Sequence, residues 1–163
     1  MSLPTTGSNL RPATESMTLL VAAVIVHDRT TDRVALLQRG PLAKFGWGLW
    51  DLPVGKATPG EPITATAVRE LAEETGLVVD LVDLQLVHVI HSSFGVESPT
   101  GFVTIVFAAH RWSGELANLE PEKHSAAEWI DAVAIPEEFV NTTGAALHSY
   151  LDGNVDVSLD GWT

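Results

Sequence analysis

GKATPGEPITATAVRELAEETGL, residues 55–77, reads as a loop, a helix and a helix stop. Pro62 suits a first helical position, because the N–H it lacks would have no partner there. Gly76 follows the last periodic residue, where a left-handed cap is usual. A helix is therefore expected from Pro62 to Thr75. At about 100° per residue, Glu70, Glu73 and Glu74 share roughly a third of its circumference. Ala65, Val68, Leu71 and Ala72 fall on the other side, which is expected to pack on a sheet and leave the carboxylates projecting together. Like charges at this spacing cost roughly 0.2–0.5 kcal/mol per pair on an exposed helix, and only Arg69 offsets them nearby. Hard oxygen ligands converging in this way suit Mg²⁺, with Mn²⁺ as a substitute. A lone Glu-Xaa-Xaa-Glu-Glu is usually a solvated face, so the weight falls on the longer pattern.

Outward from this stretch, β-rich segments dominate. Thr18 to His27 is almost continuously apolar, as expected for a strand buried on both faces. A turn at Asp28–Asp32 and a second strand, Val34 to Arg39, complete a hairpin-like pair. Pro41 to Gly48 is a loop, and Leu49 to Val54 is short and extended. Further strands are expected over Val78 to His91 and Phe102 to Arg111, separated by a polar turn at Ser93 to Gly101. Trp112 to Ala127 reads as a long acidic loop, Trp129–Ile130 as a short extended piece, and Phe139 to Leu151 as a closing helix. Residues 1–16 are expected to form a flexible N-terminal tail, 17–152 one mixed α/β domain, and 153–163 a C-terminal tail.

The chain has 163 residues, 45% of them apolar, which is enough for one full core. Its longest apolar run, Leu19 to Val26, falls far short of the ~20 residues that span a bilayer. No charged-then-apolar leader opens it, so a cytoplasmic location is expected. Absence of cysteine excludes disulfides and thiolate metal sites. A formal charge of −12 disfavours a nucleic-acid polymer or an anionic membrane as partner. A small phosphate ligand remains open where a dication screens the contact.

Gly55, five residues, Glu61, seven residues, then Arg69-Glu70-Leu71-Ala72-Glu73-Glu74-Thr75-Gly76-Leu77 resembles the Nudix box at every defined position. With typical residue frequencies, seven fixed identities arise by chance on the order of once in a million such chains. The resemblance extends over roughly residues 18–150, through the upstream hairpin, Trp50 to Pro53 and Glu128-Trp129. Val54, where many members have glycine, departs from it. The resemblance implies an α/β/α sandwich around a mixed sheet, with the box as loop–helix–loop. It implies Glu70 and Glu74 as principal metal ligands, Glu73 as a third ligand or water activator, and the Gly55 carbonyl as a further ligand. Glu61 and Arg69 would tie loop to helix. The implied activity is metal-dependent hydrolysis of a phosphoanhydride in a small nucleotide-derived substrate: a nucleoside triphosphate, nucleotide sugar or ADP-ribose type. The alternative is a Nudix-like ligand-sensing or scaffold domain without catalysis, which loss of box glutamates would favour; none is lost. Family members often dimerise, so a homodimer is an expected state.

Members often add a carboxylate from a later loop, and Glu120 and Glu122 are the candidates here. Glu122 is preferred because it lies nearer the strand entry at Trp129. Trp47, Trp50 and Phe94 stand in or beside loops, where an aromatic face stacks on a base or caps the core, Trp50 being the better core residue. His88 and His91, three apart in a strand, point to opposite faces; His91 is retained only as a substrate contact. Arg39, ending a strand, is either a phosphate contact or a surface arginine, and Lys44 and Lys56 are open in the same way.

Overall fold

The computed structural model describes residues 11–163. The expected tail over 1–16 lies for its first ten residues outside the described residues, and Ala13–Ser16 form a short 3-10 turn. Ten elements follow: β1 (Leu19–Asp28), β2 (Arg33–Arg39), β3 (Trp50–Asp51), β4 (Val54–Lys56), α1 (Ile63–Thr75), β5 (Gln85–Ser92), β6 (Phe102–Ala109), β7 (His124–Asp131), α2 (Asn141–Leu151) and β8 (Asp156–Asp160). The sheet runs β3-β2-β1-β6-β5-β8, with β4 also on β1 and β7 also on β2. β1 pairs in parallel with β6, and β5 with β8, while the other pairs are antiparallel. The sheet is mixed.

β1 is apolar without alternation because both of its faces are covered. Ala22, Val24 and Val26 pack with Ala67 and Leu71 of α1. Ala23 and Ile25 pack with Ala146 and Leu147 of α2 on the opposite side. In β6, Phe107 and Ala109 join the first cluster, and Val106 and Ala108 the second. Successive residues of a strand point to opposite faces, so one central strand supplies both cores. The chain is thus a three-layer α/β/α arrangement around a mixed sheet, as the sequence resemblance implied.

The expected C-terminal tail is corrected in part. Asp156–Asp160 of it form β8, in register with His88 to Ser92 of β5. β5 starts later than expected, at Gln85; Val78 instead bridges Ser113, and a 3-10 turn follows at Leu81–Asp83. β7 begins at His124, inside the expected acidic loop, and pairs with β2 along its length. Its opening residues, His-Ser-Ala-Ala, have little strand propensity, so partner strand β2 and not local preference makes it extended. Pro62 is the N-cap of α1, in an extended conformation, so the helix starts one position later than expected, and Gly76 ends it with φ 75°.

Leu71 is fully buried between α1 and the sheet. Leu71→Ala is expected to cost about 2–5 kcal/mol, read from the midpoint of urea unfolding.

Candidate active site

The box begins where β4 ends. Glu61, in the following loop, accepts from the Thr58 N–H at 3.3 Å and the Thr66 hydroxyl at 2.7 Å. It also accepts two bonds from Arg69, from Nε at 2.7 Å and Nη2 at 2.9 Å. Arg69 Nη1 donates to Glu70 at 2.8 Å and to Glu73 at 3.2 Å, and Nη2 also donates to the Lys56 carbonyl at 3.2 Å. The guanidinium has five donors in a rigid fork, and this geometry uses them all. The Arg69 bonds, with that from Thr66, hold the Glu61 carboxyl down at about 2, so it is charged across the neutral range. In this arrangement the loop, β4 and α1 are linked through one side chain.

Gly55 stands directly against the Glu70 side chain, where a Cβ would collide with the carboxyl group. This close approach requires glycine. Glu70 is partly buried, and burial raises its pKa, with Arg69 working against the shift.

Glu74 corrects the expectation of three solvent-facing carboxylates. Ile63, Ala67, Leu71 and Glu74 follow one helical stripe, so Glu74 continues the face that packs on the sheet. It is 3% exposed, whereas Glu73 is exposed and Ala65, Val68 and Ala72 are only partly covered. Burial pushes the Glu74 pKa well above the ordinary carboxylate range, and the charges of Glu70, Glu120 and Asp51 push it the same way. His124 Nε2 lies 3.6 Å from Glu74, too far for a hydrogen bond. Burial lowers the His124 pKa and raises that of Glu74, so it disfavours the charged form of both partners. Among the described residues, no lysine or arginine forms an ion pair with Glu74.

The later loop supplies Glu120, not the preferred Glu122. Ala117 N–H donates to the Thr75 carbonyl at 2.9 Å and Leu119 N–H to that of Glu74 at 3.1 Å. These bonds lay the loop over the end of α1 and bring Glu120 to the box. Its charge acts on both Glu70 and Glu74. Lys123 and His124 N–H groups both donate to the Glu120 carbonyl, making a turn whose exposed tip is Glu122. His124 and the buried Asp51 are the site neighbours that the sequence reading did not single out. Asp51 on β3 and His124 on β7 flank β2 from its two edges, a placement that only sheet register creates.

The remaining candidates divide. Arg39 is largely covered and not a surface arginine: it pairs with Asp51 at 3.1 Å, donates to the Phe45 carbonyl at 2.8 Å and lies over the Phe45 ring. Trp47 and Phe94 are exposed on two loops, 40–49 and 93–101. His91 packs against Trp162, with ring centroids 4.7 Å apart, and Trp162 Nε1 donates to its carbonyl. Trp50 packs on the core beneath α2. A cleft of about 360 Å³ between Trp112, Trp129 and Arg33 includes no box residue. This cleft and the box carboxylates are thus separate features of the surface.

Among the described residues, no three His, Asp or Glu side chains converge closely enough to make a ready cage for a metal. Mg²⁺ needs no such cage, because it keeps waters and takes substrate oxygens beside one or two carboxylates. The donor set fits such an ion. All donors are hard oxygens, and the buried Glu74 carboxyl must gain a positive partner, a proton or a metal, to remain inside.

Residues 17–149 match the family model of the NUDIX domain. The chain belongs to the Nudix family. It is 26% identical over 155 residues to Nudix hydrolase 10 of Arabidopsis thaliana, covering 93% of this chain and 52% of that protein. It is 32% identical over 119 residues to putative nudix hydrolase 1 of Caenorhabditis elegans, covering 72% and 30%. The chain thus spans about half or less of the length of these two relatives. The crystal structure of the MutT NUDIX hydrolase from Burkholderia pseudomallei superposes with a TM-score of 0.70 at 26% identity, over 81% of this chain and 97% of that one.

Gly55→Ala is expected to displace the Glu70 carboxyl and weaken Mg²⁺ binding at least tenfold by calorimetry, with the fold retained by circular dichroism. Glu61→Gln tests the loop tie through pH. The folded-state pKa is depressed, so the contribution of the ionised Glu61 is complete above the unfolded value near 4.5 and fades as pH falls towards about 2. The variant is expected to melt below the parent at pH 7, with the gap closing across that window.

Proposed function

We propose that this chain is a divalent-metal-dependent hydrolase that cleaves a phosphoanhydride in a nucleoside diphosphate linked to another moiety. Nucleoside triphosphates, nucleotide sugars and ADP-ribose-type compounds are the substrate classes. The observation that carries this reading is Glu74, a carboxyl buried among other acids and, among the described residues, in an ion pair with no lysine or arginine. Retaining an uncompensated acid inside a fold is costly, and a dication removes the cost.

Glu70 and Glu74 would hold Mg²⁺, or Mn²⁺ in its place, with the Gly55 carbonyl and Glu120 as further oxygen donors. The ion supplies charge neutralisation at the diphosphate and acidifies water. Little covalent work is left to the protein, because phosphoryl transfer depends chiefly on positioning and on balancing charge. Arg69 fixes the Glu70 carboxylate through its 2.8 Å bond. Glu120 is the better proton acceptor than Glu73. Lys123 occupies its Oε2 at 2.8 Å, leaving Oε1 to take the proton from the attacking water. Glu73 is instead exposed and tied to Arg69. Trp47 and Phe94 offer aromatic faces to a base.

A product-chromatography screen over nucleoside triphosphates, nucleotide sugars and dinucleotides, with Mg²⁺ or Mn²⁺, tests the class. Glu74→Gln is expected to lower turnover on the order of 10³-fold, the scale of losing a preorganised electrostatic contact. Without metal the variant should melt no lower than the parent, since a buried acid has become a neutral amide. Unchanged turnover would remove Glu74 from the site.

A further inference from the structure

Three side chains outside the box carboxylates form a trio of unequal charge. Lys44 lies in the loop after β2, Lys56 ends β4, and Glu97 stands in the loop between β5 and β6. The Lys44 ammonium contacts Glu97 Oε1, and Lys56 Nζ lies 2.9 Å from Glu97 Oε2. One carboxylate is thus divided between two cations. Arg33, Arg39 and Lys123 each have an acid of their own, and Arg69 meets three. The trio keeps a surplus positive charge in a chain whose formal charge is −12.

Position adds to charge. Lys56 follows Gly55, whose backbone lies against Glu70, so the surplus stands at the edge of the acidic box. The same two loops carry the exposed aromatics Trp47, Phe45 and Phe94. The side chains of Lys44, Lys56 and Glu97 are 61%, 55% and 41% exposed, and ion pairs so open to water are weakly held. An anion of higher charge can replace Glu97; one of equal charge gains nothing by doing so. The two ammonium groups hold the Glu97 carboxyl at about 2, so it remains a charged competitor at any working pH.

We infer that Glu97 is a specificity-determining residue: it occupies Lys44 and Lys56 as an internal anion, and the diphosphate of the substrate must displace it. Singly charged ligands are thereby excluded. The inference rests on the hydrolase reading for the identity of the diphosphate, but its test does not.

Inorganic pyrophosphate is titrated calorimetrically into the full chain at low ionic strength, with chelator and no divalent metal. Glu97→Gln and Glu97→Ala are each expected to bind about 3–5-fold more tightly than the parent, the size of one exposed ion pair. Adding Lys56→Gln to either should abolish the gain. The KM for a nucleotide substrate should fall by a similar factor, a shift that a merely structural role would not produce. Equal or weaker pyrophosphate binding by both Glu97 variants, or no binding by any of the proteins, overturns the inference. A chain that shows the tighter binding yet hydrolyses no nucleotide would leave Glu97 in this role and refute the hydrolase reading instead.

Discussion

Arg69 reaches Glu61, Glu70, Glu73 and the Lys56 carbonyl from a single planar group. Through it, the end of β4, the loop after it and the middle of α1 are fixed relative to one another. Gly55 then allows the Glu70 carboxyl to lie against the β4 backbone, where any side chain would intrude. Once that spacing is set, the next turn of the helix must place Glu74 between α1 and the sheet. The burial of an acid there is a consequence of the frame and not an independent feature. Hydrophobic packing of Ala67 and Leu71 against β1 supplies the stabilisation that lets the frame carry it.

This arrangement explains which parts of the molecule are legible in sequence. α1, its glycine stop and the central strands declare themselves because their signals are local: helical spacing, a left-handed cap, unbroken apolar runs. β7 does so only at Trp129–Ile130 and β8 not at all, since short polar or alternating segments become strands only when β2 and β5 offer an edge. The box residues can be listed from spacing, but the face on which each lies cannot be settled by counting carboxylates alone. Ile63 and Ala67 mark the buried stripe, and weighting them over Ala65 and Ala72 would have put Glu74 inside. Glu120 could be named as a candidate but not chosen over Glu122, for a different reason. Its place depends on the hydrogen bonds of Ala117 and Leu119 to the end of α1, contacts between segments some forty residues apart.

Arg39 shows how one side chain can mislead. An arginine ending a strand beside a loop looks available to a phosphate, yet its partner Asp51 is also buried and needs it. Asp51 further accepts from Thr143 of α2 at 2.6 Å, so this pair joins β2, β3 and the second helix. Removing one member of a buried pair leaves the other charge uncompensated, which makes the pair a constraint on the fold. Arg69 and Arg39 therefore brace two sides of the same site, one from the helix and one from the sheet.

The overall negative charge sets a problem that this local ordering can solve. An anionic ligand approaching a chain of formal charge −12 is repelled at long range, though screening confines the effect to about 8 Å at physiological salt. Within that distance, the sign of the nearest few groups matters more than the total. The box alone presents acids, so a phosphate cannot settle there without a cation of its own. Lys44 and Lys56, beside the box, share the single carboxylate of Glu97, and Lys44 lies on a loop that also carries the exposed aromatics Phe45 and Trp47. Loop length and composition can therefore vary the group attached to a diphosphate while the helix, its arginine tie and its buried acid stay fixed. The box and the lysine–glutamate trio stand on different elements, joined where Lys56 follows Gly55.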